Sequence, residues 1–297
     1  MKFVKFIPKN SQKETLGILS KCEKFIIELK SINSCFNFNS TLELIENITE
    51  DNISLLNNIN ILNNLENYNI FSIKNVNLLS PFKQTKHDII CAGFNYMDHL
   101  KEIKKDISHN KKNTIYFSKR ATYILGPNDK IISHSDINDS LDYEVELAVI
   151  IGKKGYQIKE NEVENYIFGY TILNDISSRN LQGKYRQWYL GKSLDSFTSL
   201  GPFIIHKSSL PLPFEINISS YLNGELRQKS NTKNMITPIN KMIVELSQGI
   251  TLEPGDIIAT GTCSGVGVGF TPPKYMHSGD KIECIIEKIG NLTNFVK

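Results

Sequence analysis

Two glutamates one residue apart, Glu144 and Glu146 in Leu-Asp-Tyr-Glu-Val-Glu-Leu-Ala-Val-Ile-Ile-Gly (141–152), have the types and spacing that most directly offer chemistry. Side chains on a strand alternate faces, so Asp142, Glu144 and Glu146 are expected on one side and Tyr143, Val145, Leu147 and Val149 on the other. From Ala148 to Ile151 the run is continuously apolar, as in a strand buried on both faces, which puts the acidic face at the mouth of a core. Two carboxylates about 7 Å apart repel by roughly 2 kcal/mol at an effective dielectric near 20, and burial increases that. A hard cation converts the repulsion into binding. A solvated acidic face on an edge strand is the alternative that spacing alone leaves open. Asp175, where a strand ends at Asn174-Asp175, is the natural third ligand, although Asn-Asp at such a place also reads as a turn or a helix cap. Three carboxylates without a nearby Cys or His pair suit Mg²⁺, Mn²⁺ or Ca²⁺ and not zinc.

His99 and Glu102 are three apart on an expected helix and share a face. A carboxylate beside an imidazole fixes its tautomer and raises its basicity, as a general base requires, while an ordinary surface pair would show the same spacing. Lys192 lies in the compact segment Trp-Tyr-Leu-Gly-Lys-Ser-Leu-Asp (188–195). Gly191-Lys192-Ser193 is not a phosphate loop, because Arg186 stands where that motif needs its first glycine. The Gly265–Gly269 run follows a strand but opens no helix, so it is not a dinucleotide fingerprint. Thr260-Gly261-Thr262 either presents hydroxyl and N–H groups to an anion or forms a tight turn.

The elements that must position these groups are short. Expected strands are Ile89–Phe94, Thr114–Ser118, the acidic strand, Gly169–Leu173, Gly201–Ile205, Ile257–Thr260 and a final one at Lys281–Glu287. Tyr221–Leu226, with Asn223-Gly224, reads as a hairpin. Helices are expected around Asp98–Glu102, within Ser177–Tyr185 and over Ile239–Gln248. Residues 1–80 open on an alternating strand, carry helical patterns at Leu42–Ile48 and Ile53–Leu65, and read as a small N-terminal domain or cover that ends near Pro81. Many short strands and few helices give a strand-rich α+β domain.

The 297 residues carry a formal charge of only +3, with no basic face for a nucleic acid. The Lys-rich stretch Lys101–Lys112 is interrupted by other polar residues and reads as a mobile loop. Five cysteines without Cys-x-x-Cys spacing read as reduced thiols. No apolar run approaches the length of a membrane span, and the opening residues lack the apolar core of a signal peptide. The cytosol is the expected compartment.

Six segments in order resemble the fumarylacetoacetate hydrolase superfamily. They are 91–102 (Cys-Ala-Gly-Phe-Asn-Tyr-Met-Asp-His-Leu-Lys-Glu), 117–119 (Phe-Ser-Lys), 142–148 (Asp-Tyr-Glu-Val-Glu-Leu-Ala), 169–182, 187–197 and 252–262. The resemblance runs from about Lys86 to the C-terminus and is greatest to the branch of domain-containing proteins and their bacterial relatives. It implies a mixed β-roll catalytic domain over 86–297, usually a homodimer, and a divalent cation, typically Mg²⁺, on Glu144, Glu146 and Asp175. It implies that His99 and Glu102 form a dyad on a lid and that Lys192 faces developing negative charge. Arg179, Gln182 and Thr262 would lie near the substrate carboxylate, with Lys119 in the substrate-binding set. Family substrates are small 2-oxo acids. The expected reaction is C–C hydrolysis of an acylpyruvate. The alternatives are tautomerisation or decarboxylation of oxaloacetate, isomerisation of ring-cleavage products, or a catalytically silent homologue. Arg120, Asn180, Ser199 and Cys263 depart from residues common in the family, and none of them removes a proposed ligand.

Overall fold

The computed structural model describes residues 1–59, 67–103 and 113–297. The last part of the Ile53–Leu65 pattern and most of the Lys-rich loop lie outside the described residues. Among those described, most of the chain builds two sheets packed face to face around the acidic strand, Val145–Ile151.

The larger sheet runs, strand by strand, through Ile70–Ser72, Phe25–Glu28, Thr15–Leu19, Lys2–Pro8, Thr198–His206, Ile167–Asp175, Val145–Ile151, Ile257–Thr262, Ile89–Gly93 and Ile115–Lys119. Neighbours along this path are antiparallel except Ile257–Thr262 and Ile89–Gly93, which run parallel. The smaller sheet is Glu225–Asn231, Asn217–Leu222, Lys281–Ile286, Gly290–Val296 and Lys130–Ile131. Leu147, Val149 and Ile151 face this smaller sheet and pack with Ile218, Ile282 and Ile286. Ala148 and Ile150 point the other way, into a core with Phe3, Ile27, Leu44 and Ile53. The acidic strand is therefore buried on both faces, as its apolar run predicts.

Residues 1–80 supply strands to the larger sheet and helices to its outer face. Lys2–Pro8 pairs with Thr198–His206. Ser40 caps the Thr41–Asn47 helix and Thr49 closes a capping box on the Glu50–Asn57 helix, so both begin where a side-chain oxygen satisfies a free N–H. Their apolar residues Leu44, Ile45, Ile53 and Leu56 are buried against the sheet.

Two expectations are corrected. Lys281–Ile286 is not the last strand, since Gly290–Val296 follows it antiparallel. The inward position Asn294 breaks the apolar alternation that would have announced this strand; its amide is fully buried and bonded to Ser199, Gly126 and Asp129. Asp142 does not share a regular strand with Glu144 and Glu146. Leu141–Asp142 instead bridges Ser177–Ser178, and the main ladder starts only at Val145.

Candidate active site

The acidic strand and its neighbour deliver the three carboxylates. Glu146 continues the face of Ala148 and Ile150, while Glu144 precedes the ladder with its N–H held by Asn174 Oδ1 at 3.1 Å. Asp175 ends the adjacent strand, with its own N–H on the Glu144 carbonyl. Ligand atoms of Glu144, Glu146 and Asp175 lie within 4.8 Å of one another, and all three residues are buried.

Cations reach two of the three. Lys192 Nζ sits 2.7 Å from both Glu144 Oε2 and Asp175 Oδ2. Arg179 Nη2 takes the other Glu144 oxygen at 2.7 Å, and Lys119 Nζ takes Asp175 Oδ1 at 2.7 Å. Glu146 has the Gly261 N–H at 2.8 Å. Gly261 can aim that N–H only because its φ is +90°, and a Cβ there would strike the Ala92 carbonyl oxygen and Asn95 Cβ at 2.8 Å.

The electrostatics follow from this pairing. Burial raises the Glu144 pKa, but Lys192 and Arg179 outweigh it and hold the carboxyl at about 2. Glu146 is pushed well above the carboxylate range by burial and then by the charges of Asp175 and Glu144. Burial lowers the Lys119 ammonium against the pull of Asp175, while Lys192 is raised because Asp175 and Glu144 outweigh its burial. With Asp142, four carboxylates face three cations, and Glu146 is the charge left over. An all-oxygen donor set, convergent and short of one positive partner, fits a hard divalent cation and not a soft one.

A cavity of about 230 Å³ opens onto this cluster, lined among others by His99, Glu144, Glu146, Arg179, Gln182, Lys192 and Thr262. The Met97–Glu102 helix brings His99 to it, with His99 Nδ1 3.0 Å from Glu102 Oε2. Glu102 is fixed from behind by the Gly265 N–H at 2.8 Å. With Nδ1 donating to that carboxylate, Nε2 is the basic nitrogen. Phe94, Phe117 and Trp188 form one wall, with the Trp188 ring centroid 5.2 Å from Phe94 and 4.9 Å from Phe117. A larger cavity of about 370 Å³ shares Gly93 and Phe94 with this one, but its lining lacks the carboxylate trio and the histidine.

Arg179 donates through Nε to Asp142 at 2.8 Å and through Nη1 to Gln182 at 3.0 Å, and its Nη2 is ion-paired with Glu144 Oε1 at 2.7 Å. The Thr262 hydroxyl donates to the Val145 carbonyl and accepts from Gln228. Lys119 is a correction. It is fully buried beneath Asp175, where its ammonium also serves the carbonyls of Ile176 and Lys192, and it does not line the cavity.

Sequence reasoning missed the use of Asp142, which accepts the N–H groups of Gly267 at 2.6 Å and Val268 at 3.0 Å and so ties the glycine-rich loop to Arg179. It also missed Gln228 and the aromatic wall. Asp142 was visible as an acid in phase with the glutamates, whereas Gln228 gave only an inward polar position beyond the Asn223-Gly224 turn.

A model of the fumarylacetoacetate (FAA) hydrolase C-terminal family matches residues 88–297. The chain is 44% identical over 225 residues to oxaloacetate tautomerase YisK of Bacillus subtilis (strain 168), covering 76% of this chain and 74% of that one. A fumarylacetoacetate hydrolase from psychrophilic Exiguobacterium antarcticum superposes with a TM-score of 0.86 at 35% identity, over 100% of this chain and 99% of that one. Maleylpyruvate hydrolase from Sphingobium sp. SYK-6, solved with manganese(II) and pyruvate, gives a TM-score of 0.77 at 26% identity, over 100% and 98%. These strand-rich α+β neighbours and the family match place the chain: it belongs to the fumarylacetoacetate hydrolase family.

Proposed function

We propose that the protein is a divalent-metal-dependent tautomerase of a small 2-oxo acid of the oxaloacetate type, working through an enolate. The observation that carries this reading is that His99, paired with Glu102, lines the same cavity as Glu144 and Glu146 of the buried carboxylate trio. Similarity to a relative named oxaloacetate tautomerase supports it.

In this reading Glu144, Glu146 and Asp175 hold Mg²⁺ or Mn²⁺, which when bound supplies a Lewis acid for the 2-keto oxygen. Arg179 and Gln182 orient the substrate carboxylate. His99 Nε2 removes a proton from the carbon next to the keto group, and the resulting imidazolium is stabilised by Glu102. Lys192 offsets the negative charge that moves onto the keto oxygen. Return of the proton to that oxygen gives the enol, and the reverse sequence gives the keto form. Phe94, Phe117 and Trp188 keep bulk water from the carbanionic face.

A second reading, hydrolysis of an acylpyruvate, has the same dyad activate a water. It is favoured by the aromatic wall, which suits an apolar acyl end. The two separate in one experiment: enol-oxaloacetate and acetylpyruvate are incubated with enzyme and Mg²⁺ or EDTA, following enol absorbance and pyruvate together. Metal-dependent loss of enol absorbance without pyruvate supports the tautomerase. Stoichiometric pyruvate from acetylpyruvate establishes the hydrolase instead.

A further inference from the structure

Gln228 lies on the Glu225–Asn231 strand of the smaller sheet and is fully buried. It spends its whole carboxamide on the edge of the active site. Its Oε1 accepts from the Val145 N–H at 3.1 Å and from Ser220 Oγ at 3.0 Å. Its Nε2 donates to Thr262 Oγ1 at 2.7 Å and to the Cys263 carbonyl at 2.9 Å. Thr262 in turn donates to the Val145 carbonyl at 2.9 Å.

These partners define what the residue does. Val145 is the link between Glu144 and Glu146, and its N–H and its carbonyl are both held by side chains, one by Gln228 and the other by Thr262. The ladder between the acidic strand and Ile257–Thr262 begins at Glu146, opposite Thr262, and shifts register just beyond it, with Ala148 opposite Ala259. Val145 precedes the first paired residue of that ladder, and a buried N–H left without a partner is costly. The carboxamide supplies that partner to the Val145 N–H from the opposite sheet and fixes the peptide on which two of the three carboxylates turn.

We propose that Gln228 is a positioning residue for the metal site: through Val145 and Thr262 it holds Glu144 and Glu146 in the geometry that binds a divalent cation. This rests on the metal assignment above and not on the identity of the substrate. Groups that orient metal ligands from outside the coordination sphere typically alter affinity by 10- to 100-fold.

The test is a Mn²⁺ titration without substrate, reading free aqueous Mn²⁺ by electron paramagnetic resonance, with thermal midpoints of each protein in EDTA. Gln228→Met is expected to weaken Mn²⁺ binding by about 10- to 100-fold. Ser220→Ala removes another bond to the same carboxamide without touching Val145, and is expected to leave Mn²⁺ affinity at the wild-type value. Thr262→Val breaks the link from its other end and decides the question if Gln228→Met does not fold. Wild-type affinity in Gln228→Met or Thr262→Val overturns the proposal. So does a loss of affinity in Ser220→Ala as large as theirs, since general loosening would then be the cause. A wild-type protein that takes up no Mn²⁺ removes the metal assignment, and this role falls with it.

Discussion

Replacing Glu146 by Gln is expected to remove metal binding and yet not destabilise the metal-free protein. The reason is the charge count around the trio. Among the described residues, Lys192, Lys119 and Arg179 are matched by Glu144, Asp175 and Asp142, three against three, and Glu146 has only a backbone N–H. With ligand atoms within 4.8 Å, each like-charge pair repels by about 3.5 kcal/mol at an effective dielectric of about 20. Burial and two of those three repulsions already hold the Glu146 carboxyl well above the usual carboxylate range, and Gln removes that cost while forfeiting a weaker attraction to Lys192. The net expectation is a metal-free variant as stable as wild type or more so. Saturating metal should do the opposite to the two proteins. At one hundred times Kd, wild type gains about 2.7 kcal/mol, or about 5 °C in a chain of this size, and the variant gains nothing. Urea unfolding in EDTA and thermal unfolding with and without Mn²⁺ read both terms. A loss of 3 kcal/mol or more in EDTA, or a full Mn²⁺ shift in Glu146→Gln, refutes the reasoning.

Lys192→Met should lower kcat by about 10²- to 10³-fold, because a charge aimed at the developing oxyanion is lost, and should also destabilise the metal-free protein by exposing Glu144 and Asp175 to each other. Steady-state kinetics and unfolding in EDTA check both effects; an unchanged kcat contradicts the role. Gly269→Ala places a Cβ 2.2 Å from the Glu102 carboxyl carbon, so it should disrupt the dyad. A fall in kcat with unchanged Mn²⁺ affinity is expected, and wild-type kcat speaks against the dyad. His206 is held near 3 by burial first and then by Lys207 and the N-terminus. Its folded value lies below the unfolded value of about 6.5, so its neutral form contributes stability that is complete above that value. As pH falls from there towards 3 the contribution is lost at about 1.4 kcal/mol per pH unit. Urea unfolding of His206→Gln at several pH values should show an acid limb shallower by one proton; equal slopes contradict it.

The convergence of Glu144 and Glu146 at the mouth of a core was legible because period-two alternation and a two-faced apolar run fix where side chains go, while Asp175 gave only its place at a strand end. The His99–Glu102 contact was legible for the analogous helical reason. What was not legible depended on backbone breaks and on pairing across sheets. Asp142 fell outside the acidic strand because the chain switches after it from the small bridge with Ser177–Ser178 to the main ladder. Lys119 was expected near the substrate, but only three-dimensional packing puts its ammonium under Asp175. Of the departures from family pattern, Arg120 keeps an N–H that bonds Ser193 Oγ at 3.1 Å, a contact proline cannot make. Ser199 reaches Asn294 at 2.7 Å, joining the larger sheet to the strand that sequence alone did not reveal.

The central claim is that His99 moves a proton at the carbon beside a 2-keto group while the carboxylate trio holds a metal. It is tested most directly by proton–deuterium exchange at that carbon of oxaloacetate in D₂O, followed by NMR and corrected for the uncatalysed rate. Wild type with Mg²⁺ should exchange rapidly, and both EDTA and His99→Asn should return the rate to background without loss of fold. Exchange that persists in His99→Asn, or is indifferent to EDTA, contradicts the account.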